Sequence, residues 1–142
     1  MRKLESNPNE AGYTLTEMLV VILIITLIAA VLTPTILSQL SRAKAKTAAL
    51  QLDSTAATLT MFKEDIGRFP TEAEGLKALV EDPGLPGWVG PYLKTDKSIN
   101  DPWNHKLVYK VDDNDQATLT SLGADGKAGG KGVDQDITVT AK

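Results

Sequence analysis

The sequence predicts an α+β protein in which one long N-terminal helix packs on a small antiparallel sheet. Three patterns support this fold class. An uncharged stretch follows Glu17, and apolar residues then recur at spacings of three or four as far as Ile66. Short alternating segments separated by turn residues fill the last third of the chain. The first two patterns are helical, and the third is typical of β-strands.

The composition narrows the possible functions. The 142 residues suffice for one small domain and an anchor. The net charge of -3 gives no indication of a nucleic-acid partner. The chain has no cysteine and a single histidine, His105, which excludes a disulfide framework and a metal site built from several imidazoles. Neither a phosphate-binding loop nor a Gly-x-Ser-x-Gly turn occurs, so the sequence does not indicate an enzyme.

The first element is an apolar segment of membrane length. Met18 to Leu32 is strongly apolar and carries no charge. A helix needs roughly 20 predominantly apolar residues to cross a bilayer, so the chain from residue 13 to residue 34 predicts a transmembrane helix. Pro34 lacks the N–H that would continue the helical hydrogen bonds, which predicts a kink or a short melted stretch between Ala30 and Pro34.

An ordinary secretory signal peptide is the main alternative for this segment. Its apolar core would be shorter and would be followed by a cleavage site of small residues. The polar leader, residues 1 to 12, contains Glu5 and Glu10, whereas a signal peptide usually has a basic leader. Cleavage before the apolar segment retains it in the mature protein, and cleavage after it removes it. Basic residues lie on both sides of the segment, so the positive-inside rule does not fix its orientation.

Beyond Pro34 the predicted helix becomes amphipathic. Its apolar residues share one face, which we expect to lie on a domain core: Ala45, Ala48, Leu52, Ala56, Leu59, Phe62 and Ile66. Gly67 is expected to end the helix. A second short helix is predicted to start at Thr71, because Thr71 and Glu74 have the spacing of a capping box.

The C-terminal part predicts the sheet. Its segments follow in order as a strand over 106–111, a hairpin connection over 112–115, a return strand over 116–122, a loop with five glycines over 123–136, and a last short strand over 137–140. Four aromatic residues are expected to anchor the core and its loops: Trp88, Tyr92, Trp103 and Tyr109. The acidic cluster Asp112, Asp113 and Asp115 is interpreted as a solvated hairpin.

The residues before the apolar segment resemble the processing site of type IV pilin-like proteins. Gly12 ends a short polar leader, the aromatic Tyr13 follows, and Glu17 is the fifth residue counted from Tyr13. A charged carboxylate at membrane depth costs a few kcal/mol unless it is neutralised or paired. Alternatives are a flexible joint at Gly12, an interfacial glutamate that marks the membrane edge, and a plain single-pass anchor.

Further stretches resemble the major pseudopilin of bacterial type II secretion systems in particular. They are Phe69-Pro70-Thr71, Gly75–Leu79, Trp88–Lys94, Asp101-Pro102-Trp103, Ser121–Gly126 and Asp134–Ile137. The chain departs from the family pattern at Tyr13, where Phe is usual, and at Asn104, where Gly is usual. Its C-terminus also lacks the Asn-Trp pair often found there.

This resemblance implies a pilin-like filament subunit that is stored in the bacterial inner membrane. A prepilin peptidase would cut after Gly12, and the new amine of Tyr13 would be methylated. Glu17 would face the Tyr13 amine of a neighbouring subunit and so fix the axial register. Pro34 would supply a flexible joint. The segment 35–142 would form the globular domain in the periplasm.

The resemblance also implies partners. The subunits would form a homopolymeric helical filament capped by minor pseudopilins, and membrane lipid would cover the apolar helix before assembly. An inner-membrane platform and a cytoplasmic ATPase would act on it indirectly. The filament would drive export of folded proteins across the outer membrane, with no reaction catalysed. Two alternatives are a true type IV pilin and a membrane-tethered periplasmic calcium-binding module that never polymerises.

The glycine-rich loop is the best candidate ligand site. Ca²⁺ takes roughly six to eight oxygen ligands from carboxylates and carbonyls. The resemblance implies a calcium site here, formed by the carboxylates of Asp125, Asp134 and Asp136 together with the carbonyls of Leu122 and Lys127. The alternative is a solvated loop without metal.

Overall fold

The computed structural model describes residues 12–142, so the predicted leader lies outside the described residues except for Gly12. The described residues divide into two compact units, of which the first ends at Ser38 and the second is Gln39–Lys142. The elements in chain order are helix α1 (Leu15–Ile66), 3₁₀ turns at Gly75–Leu79 and Asp96–Ile99, strands β1 (Val108–Val111) and β2 (Ala117–Ser121), a 3₁₀ turn at Gly132–Asp134, and strand β3 (Ile137–Ala141). The predicted α+β class is confirmed.

The first part of α1 is apolar on all sides. Its most hydrophobic stretch of 18 residues has a mean hydropathy of 2.8, and none of it is buried. The large apolar side chains from Met18 to Leu32 are 46% to 73% exposed. A helix that is apolar all round is stable only where lipid or other protein covers it. Length and composition therefore suit one membrane crossing.

The helix continues through Pro34, so the predicted melted stretch is wrong, whereas the kink predicted as its alternative stays a prediction. A single proline removes one backbone hydrogen bond, and neighbouring residues keep the helical conformation. The hydroxyl groups on either side add bonds to the helix backbone. Thr33 Oγ1 donates to the carbonyl of Ala29 at 2.6 Å, and Ser38 Oγ donates to the carbonyl of Thr35 at 2.9 Å.

The second part of α1 carries the core of the globular unit. The predicted apolar face is confirmed: its five central members, Ala48, Leu52, Ala56, Leu59 and Phe62, are buried. The threonines Thr55 and Thr58 are buried as well, although they are polar. Each is satisfied because its hydroxyl donates to the carbonyl four residues earlier.

The helix end forms as predicted, and the second helix does not. Gly67 adopts a positive φ of 90° and donates its N–H to the carbonyl of Lys63. The Thr71–Glu74 capping box is present, with bonds of 2.7 and 3.2 Å. An α-helix cannot follow, because Gly75 has a φ of +59°. A 3₁₀ turn at Gly75–Leu79 takes its place.

The sheet has the order β1-β2-β3 with antiparallel pairing throughout. Val111 pairs with Ala117 across the hairpin, and Ala117 pairs with Ala141 on the other side. Ala117, Leu119 and Ser121 of the central strand are fully buried. Alternate residues of the flanking strands join the same core. The predicted hairpin and last strand are thus confirmed, with ends that differ by one or two residues.

Three of the four predicted aromatic anchors tie loops to the core. Trp88 Nε1 donates to the carbonyl of Ala78 at 3.0 Å, and Tyr109 donates its hydroxyl to the carbonyl of Pro70 at 2.6 Å. Tyr92 donates to Asp65 of α1 and lies edge-on to Trp88. Each of these partly buried rings thereby also satisfies its polar end.

Candidate functional site

The predicted processing point lies in an open stretch directly before α1. Gly12 and Tyr13 are non-helical and exposed, and the Tyr13 side chain is 85% accessible. Within the described residues, nothing lies within 4 Å of the position that a Cβ on Gly12 would take. The peptide bond between the two residues is therefore sterically open to an enzyme.

Glu17 is held by Thr14, a residue that the sequence analysis did not single out. The backbone N–H and the hydroxyl of Thr14 both donate to Glu17 Oε2, at 2.7 and 2.8 Å. The N–H of Glu17 donates back to the hydroxyl of Thr14 at 3.1 Å. This is a capping box, and the Thr-x-x-Glu spacing was its signal in the sequence.

The capping box satisfies the Glu17 carboxylate within a single chain. Its negative charge lies at the positive end of the helix dipole, and in the described part of the chain it forms no salt bridge. The carboxylate is thus satisfied by neutral donors alone. A cationic partner one turn away would add a charge-assisted hydrogen bond, which is roughly twice as strong as a neutral one.

A backbone hydrogen bond joins the two ends of the loop between β2 and β3. The N–H of Ala124 donates to the carbonyl of Val133 at 3.0 Å. A Cβ at Gly123 would lie 2.6 Å from the carbonyl carbon of Asp134, and one at Gly130 would collide with the same backbone. These two positions need glycine because their backbone lies so close to the backbone of Asp134 that no side chain fits between them.

The candidate ligands lie at different points of this loop. Asp125 Oδ1 accepts the N–H of Lys127 at 3.0 Å, and Asp136 Oδ2 accepts the N–H of Gly129 at 2.9 Å. Over residues 12–142, no three acidic or imidazole side chains come together as a metal-binding group. The three predicted carboxylates therefore do not form one cluster.

One atom of the loop nevertheless fits a cation. Asp136 Oδ1 is buried and has no hydrogen-bond partner in the described part of the chain. A buried acceptor without a partner costs about 1–3 kcal/mol. A carboxylate oxygen is a ligand of the kind that Ca²⁺ prefers. The full set of Leu122, Asp125, Lys127, Asp134 and Asp136 stays a prediction.

A buried carboxylate next to this loop was missed by the sequence analysis. Asp101 is 5% exposed. Its Oδ1 accepts the N–H groups of Trp103 and His105 at 3.0 and 2.8 Å, and its Oδ2 accepts the hydroxyl of Ser121 at 2.7 Å. Asn104, between Trp103 and His105, has a φ of 69°. Glycine adopts this left-handed conformation without strain, which accounts for the glycine that is usual at this point of the family pattern.

Comparison with known proteins agrees with these features. Residues 35–140 match the profile of the type II secretion system (T2SS) protein G family, and residues 7–33 match the prokaryotic N-terminal methylation motif. The chain is 37% identical to type II secretion system core protein G of Xanthomonas campestris pv. campestris, covering 96% of both chains. It is 38% identical to the core protein G of Pseudomonas aeruginosa, covering 90% of this chain and 93% of the relative.

A solved structure supports the fold. The major pseudopilin from the type 2 secretion system of enterohaemorrhagic Escherichia coli superposes with a TM-score of 0.56 at 23% identity. The match covers 72% of this chain and 90% of that one. Its fold is therefore shared, with a long helix on a small antiparallel sheet. The chain belongs to the type II secretion system protein G family, as its sequence motifs predicted.

Proposed function

We propose that this chain is the repeating subunit of a type II secretion pseudopilus. Copies stored in the inner membrane polymerise into a periplasmic filament, which drives export of folded proteins across the outer membrane. One observation carries the proposal. The helix from Met18 to Leu32 is apolar on every side and uncovered, and it lies within residues 7–33, which match the N-terminal methylation motif.

The exposed helix explains how one segment serves two states. Lipid covers Met18 to Leu32 in the stored subunit, and other copies of the same helix cover it in the filament. The apolar area removed from water is similar in both states, so the exchange of lipid for protein costs little hydrophobic free energy. A cytoplasmic ATPase acting through an inner-membrane platform can then drive the exchange.

Glu17 gives the assembly its register. Cleavage after Gly12 creates a cationic amine on Tyr13, one helical turn from the carboxylate. In the stored subunit the Thr14 capping box satisfies Glu17. In the filament the amine of a neighbouring Tyr13 becomes its partner, because an offset packing would leave both charges unpaired in an apolar core. Minor pseudopilins would cap the filament by the same contacts.

The role is mechanical and involves no catalysis. The single-pass orientation places the leader in the cytoplasm, where a prepilin peptidase and a methylating activity act on Gly12 and Tyr13. The globular unit lies in the periplasm. The position of Glu17 at the start of the apolar helix is what an assembly contact requires and what a reaction centre does not.

Calcium is proposed to hold the loop between β2 and β3. The buried Oδ1 of Asp136, which has no hydrogen-bond partner among residues 12–142, supports the site. When bound, the ion supplies a positive charge that oxygen donors of the loop share. The chain has no cysteine, so the ion would take the part that a disulfide plays in other small exported domains. A site filled at about 100 times its dissociation constant adds about 2.7 kcal/mol of stability.

The test of assembly is Glu17→Gln in cells that lack the native subunit. Glu64→Gln is the matched control, because Glu64 is an exposed glutamate of the same helix. We expect the Glu17 variant to reach the membrane and be cleaved, yet to form no filaments and restore no secretion, whereas the Glu64 variant restores both. A membrane-tethered module that never polymerises would tolerate Glu17→Gln, and that result would overturn the proposal.

A further inference from the structure

We infer that His105 is a positioning residue for the cation site in the loop between β2 and β3. The inference rests on the calcium site proposed above. It concerns the residues behind the candidate ligands, since His105 supplies no oxygen. A chain of contacts runs from buried Asp101, through His105, to the loop.

The first step is the rigid turn that carries His105. Asp101 accepts two N–H groups of this turn through Oδ1, and its own N–H donates to the carbonyl of His105 at 2.8 Å. The other carboxylate oxygen binds the hydroxyl of Ser121, which is fully buried in β2. A carboxylate with this many donors is fixed in place, and so is the turn around it.

The second step is the direction of the imidazole ring. His105 Nδ1 lies 3.2 Å from the carbonyl oxygen of Gly123 and 3.7 Å from Asp101 Oδ2. Both neighbours of Nδ1 are acceptors, so Nδ1 carries the proton and donates it to the Gly123 carbonyl. The bond spans 18 residues and ties the start of the loop to the turn.

The third step is the packing of the ring face. A Cβ on Gly126 would lie 3.1 to 3.3 Å from three atoms of the His105 ring. Gly126 also has a φ of +66°. The residue is therefore a glycine both because of its backbone conformation and because the imidazole occupies the space beside it.

These contacts lie beside three of the five candidate ligands, Leu122, Asp125 and Lys127. Gly123 follows Leu122, and Gly126 lies between Asp125 and Lys127. One donated bond and one packed ring thus fix the backbone at both ends of the segment 122–127. Groups that orient metal ligands from behind commonly change metal affinity by about 10- to 100-fold when they are removed.

Two variants separate the bond from the ring. His105→Phe keeps an aromatic ring and removes the donor. His105→Asn removes the ring and keeps an N–H donor at the position of Nδ1. Calcium binding to the cleaved full chain in detergent is measured by calorimetry. We expect the dissociation constant to rise about 10- to 100-fold in His105→Phe, and to rise by less in His105→Asn, which keeps the bond to Gly123 and loses only the ring beside Gly126.

A second measurement keeps the inference testable if His105→Phe folds poorly. Hydrogen exchange of segment 122–127 without calcium should be faster in His105→Phe than in His105→Asn. A purely structural histidine would lower the melting temperature equally with and without calcium and leave the affinity unchanged, which would overturn the inference. A loss of affinity in His105→Asn as large as that in His105→Phe would also overturn it. If the wild-type chain binds no calcium, the calcium proposal itself fails, and this inference fails with it.

Discussion

Arg68 and Glu74 form a bidentate salt bridge across the turn that follows α1. Nη1 of Arg68 lies 2.7 Å from Oε2 of Glu74, and Nη2 lies 2.8 Å from Oε1. The N–H of Thr71 donates to the same carboxylate, and Arg68 also donates to the carbonyl of Phe69. This salt bridge joins the two ends of the turn, residues 68 and 74, and so fixes the connection between α1 and the rest of the globular unit.

The pair makes stability depend on pH in the acid range. The hydrogen bonds from Arg68, with those from Thr71, lower the pKa of Glu74 from 4.5 to about 2. A lowered folded-state pKa means that the stabilisation is present above pH 4.5 and is lost as the pH falls towards 2. After allowance for solvent screening of the partly exposed Arg68, we expect the pair to contribute about 1 kcal/mol to the free energy of unfolding.

The measurement is urea unfolding of wild type and Glu74→Gln between pH 7 and pH 3. The two proteins should differ at pH 7, and the difference should shrink below pH 4.5. Glu72→Gln in the same turn is the control, since Glu72 is exposed and forms no salt bridge in the described part of the chain. A difference that stays constant over this range would contradict the role of the ion pair.

Asn104 is expected to tolerate glycine and to resist alanine. Its φ of 69° is left-handed, and a residue with a Cβ pays about 1–2 kcal/mol there unless it is Asn or Asp. Asn104→Gly should leave the melting temperature nearly unchanged, and Asn104→Ala should lower the free energy of unfolding by about 1 kcal/mol. Equal melting temperatures for the two variants would refute the backbone argument.

Two leucines of α1 test the division of the helix into core and exposed faces. Leu59 is fully buried, whereas Leu50 is 70% exposed. Leu59→Ala should cost about 2–5 kcal/mol through lost burial and the cavity that remains. Leu50→Ala should change stability by less than about 0.5 kcal/mol. Chemical unfolding of both variants measures their free energies of unfolding. Similar losses in the two variants would contradict the assignment of Leu59 to the core and Leu50 to the exposed face.

The proposed calcium site can be tested by changing Asp136. Asp136→Asn neutralises the side chain whose buried oxygen lacks a partner. Without calcium, the variant should be at least as stable as the wild type, because an uncompensated charge is removed. With calcium, only the wild type should gain melting temperature. Asp113→Asn in the solvated hairpin is the control. Equal calcium-dependent shifts in wild type and Asp136→Asn would remove the proposed metal site.

The sequence predicted the elements that depend on local pattern. The buried face of α1 follows from the spacing of Leu52, Leu59 and Phe62, because a repeat of three to four places residues on one side. The hairpin follows from alternation that is interrupted by acidic turn residues. Gly75 was the local exception. Its positive φ, which spacing does not encode, turned the predicted α-helix into a 3₁₀ turn.

The sites were less predictable because they depend on contacts between distant residues. Asp101 is one of 18 acidic residues, and nothing in its spacing indicates that Ser121 and His105 bury it. The loop ligands have the same difficulty, since backbone carbonyls carry no sequence signature. Thr14 differs. Its capping box with Glu17 has the spacing already recognised in Thr71 and Glu74, so the same rule would have found it.

The central claim is that the acid at the start of the apolar helix pairs with the amine of another subunit. A density map of the assembled filament, at a resolution that shows side chains, tests it most directly. We predict that the Glu17 carboxylate of each subunit lies within salt-bridge distance, about 4 Å, of the terminal nitrogen of Tyr13 in a neighbour. A map in which Glu17 stays bonded to its own Thr14, with no neighbouring amine beside it, would contradict the account.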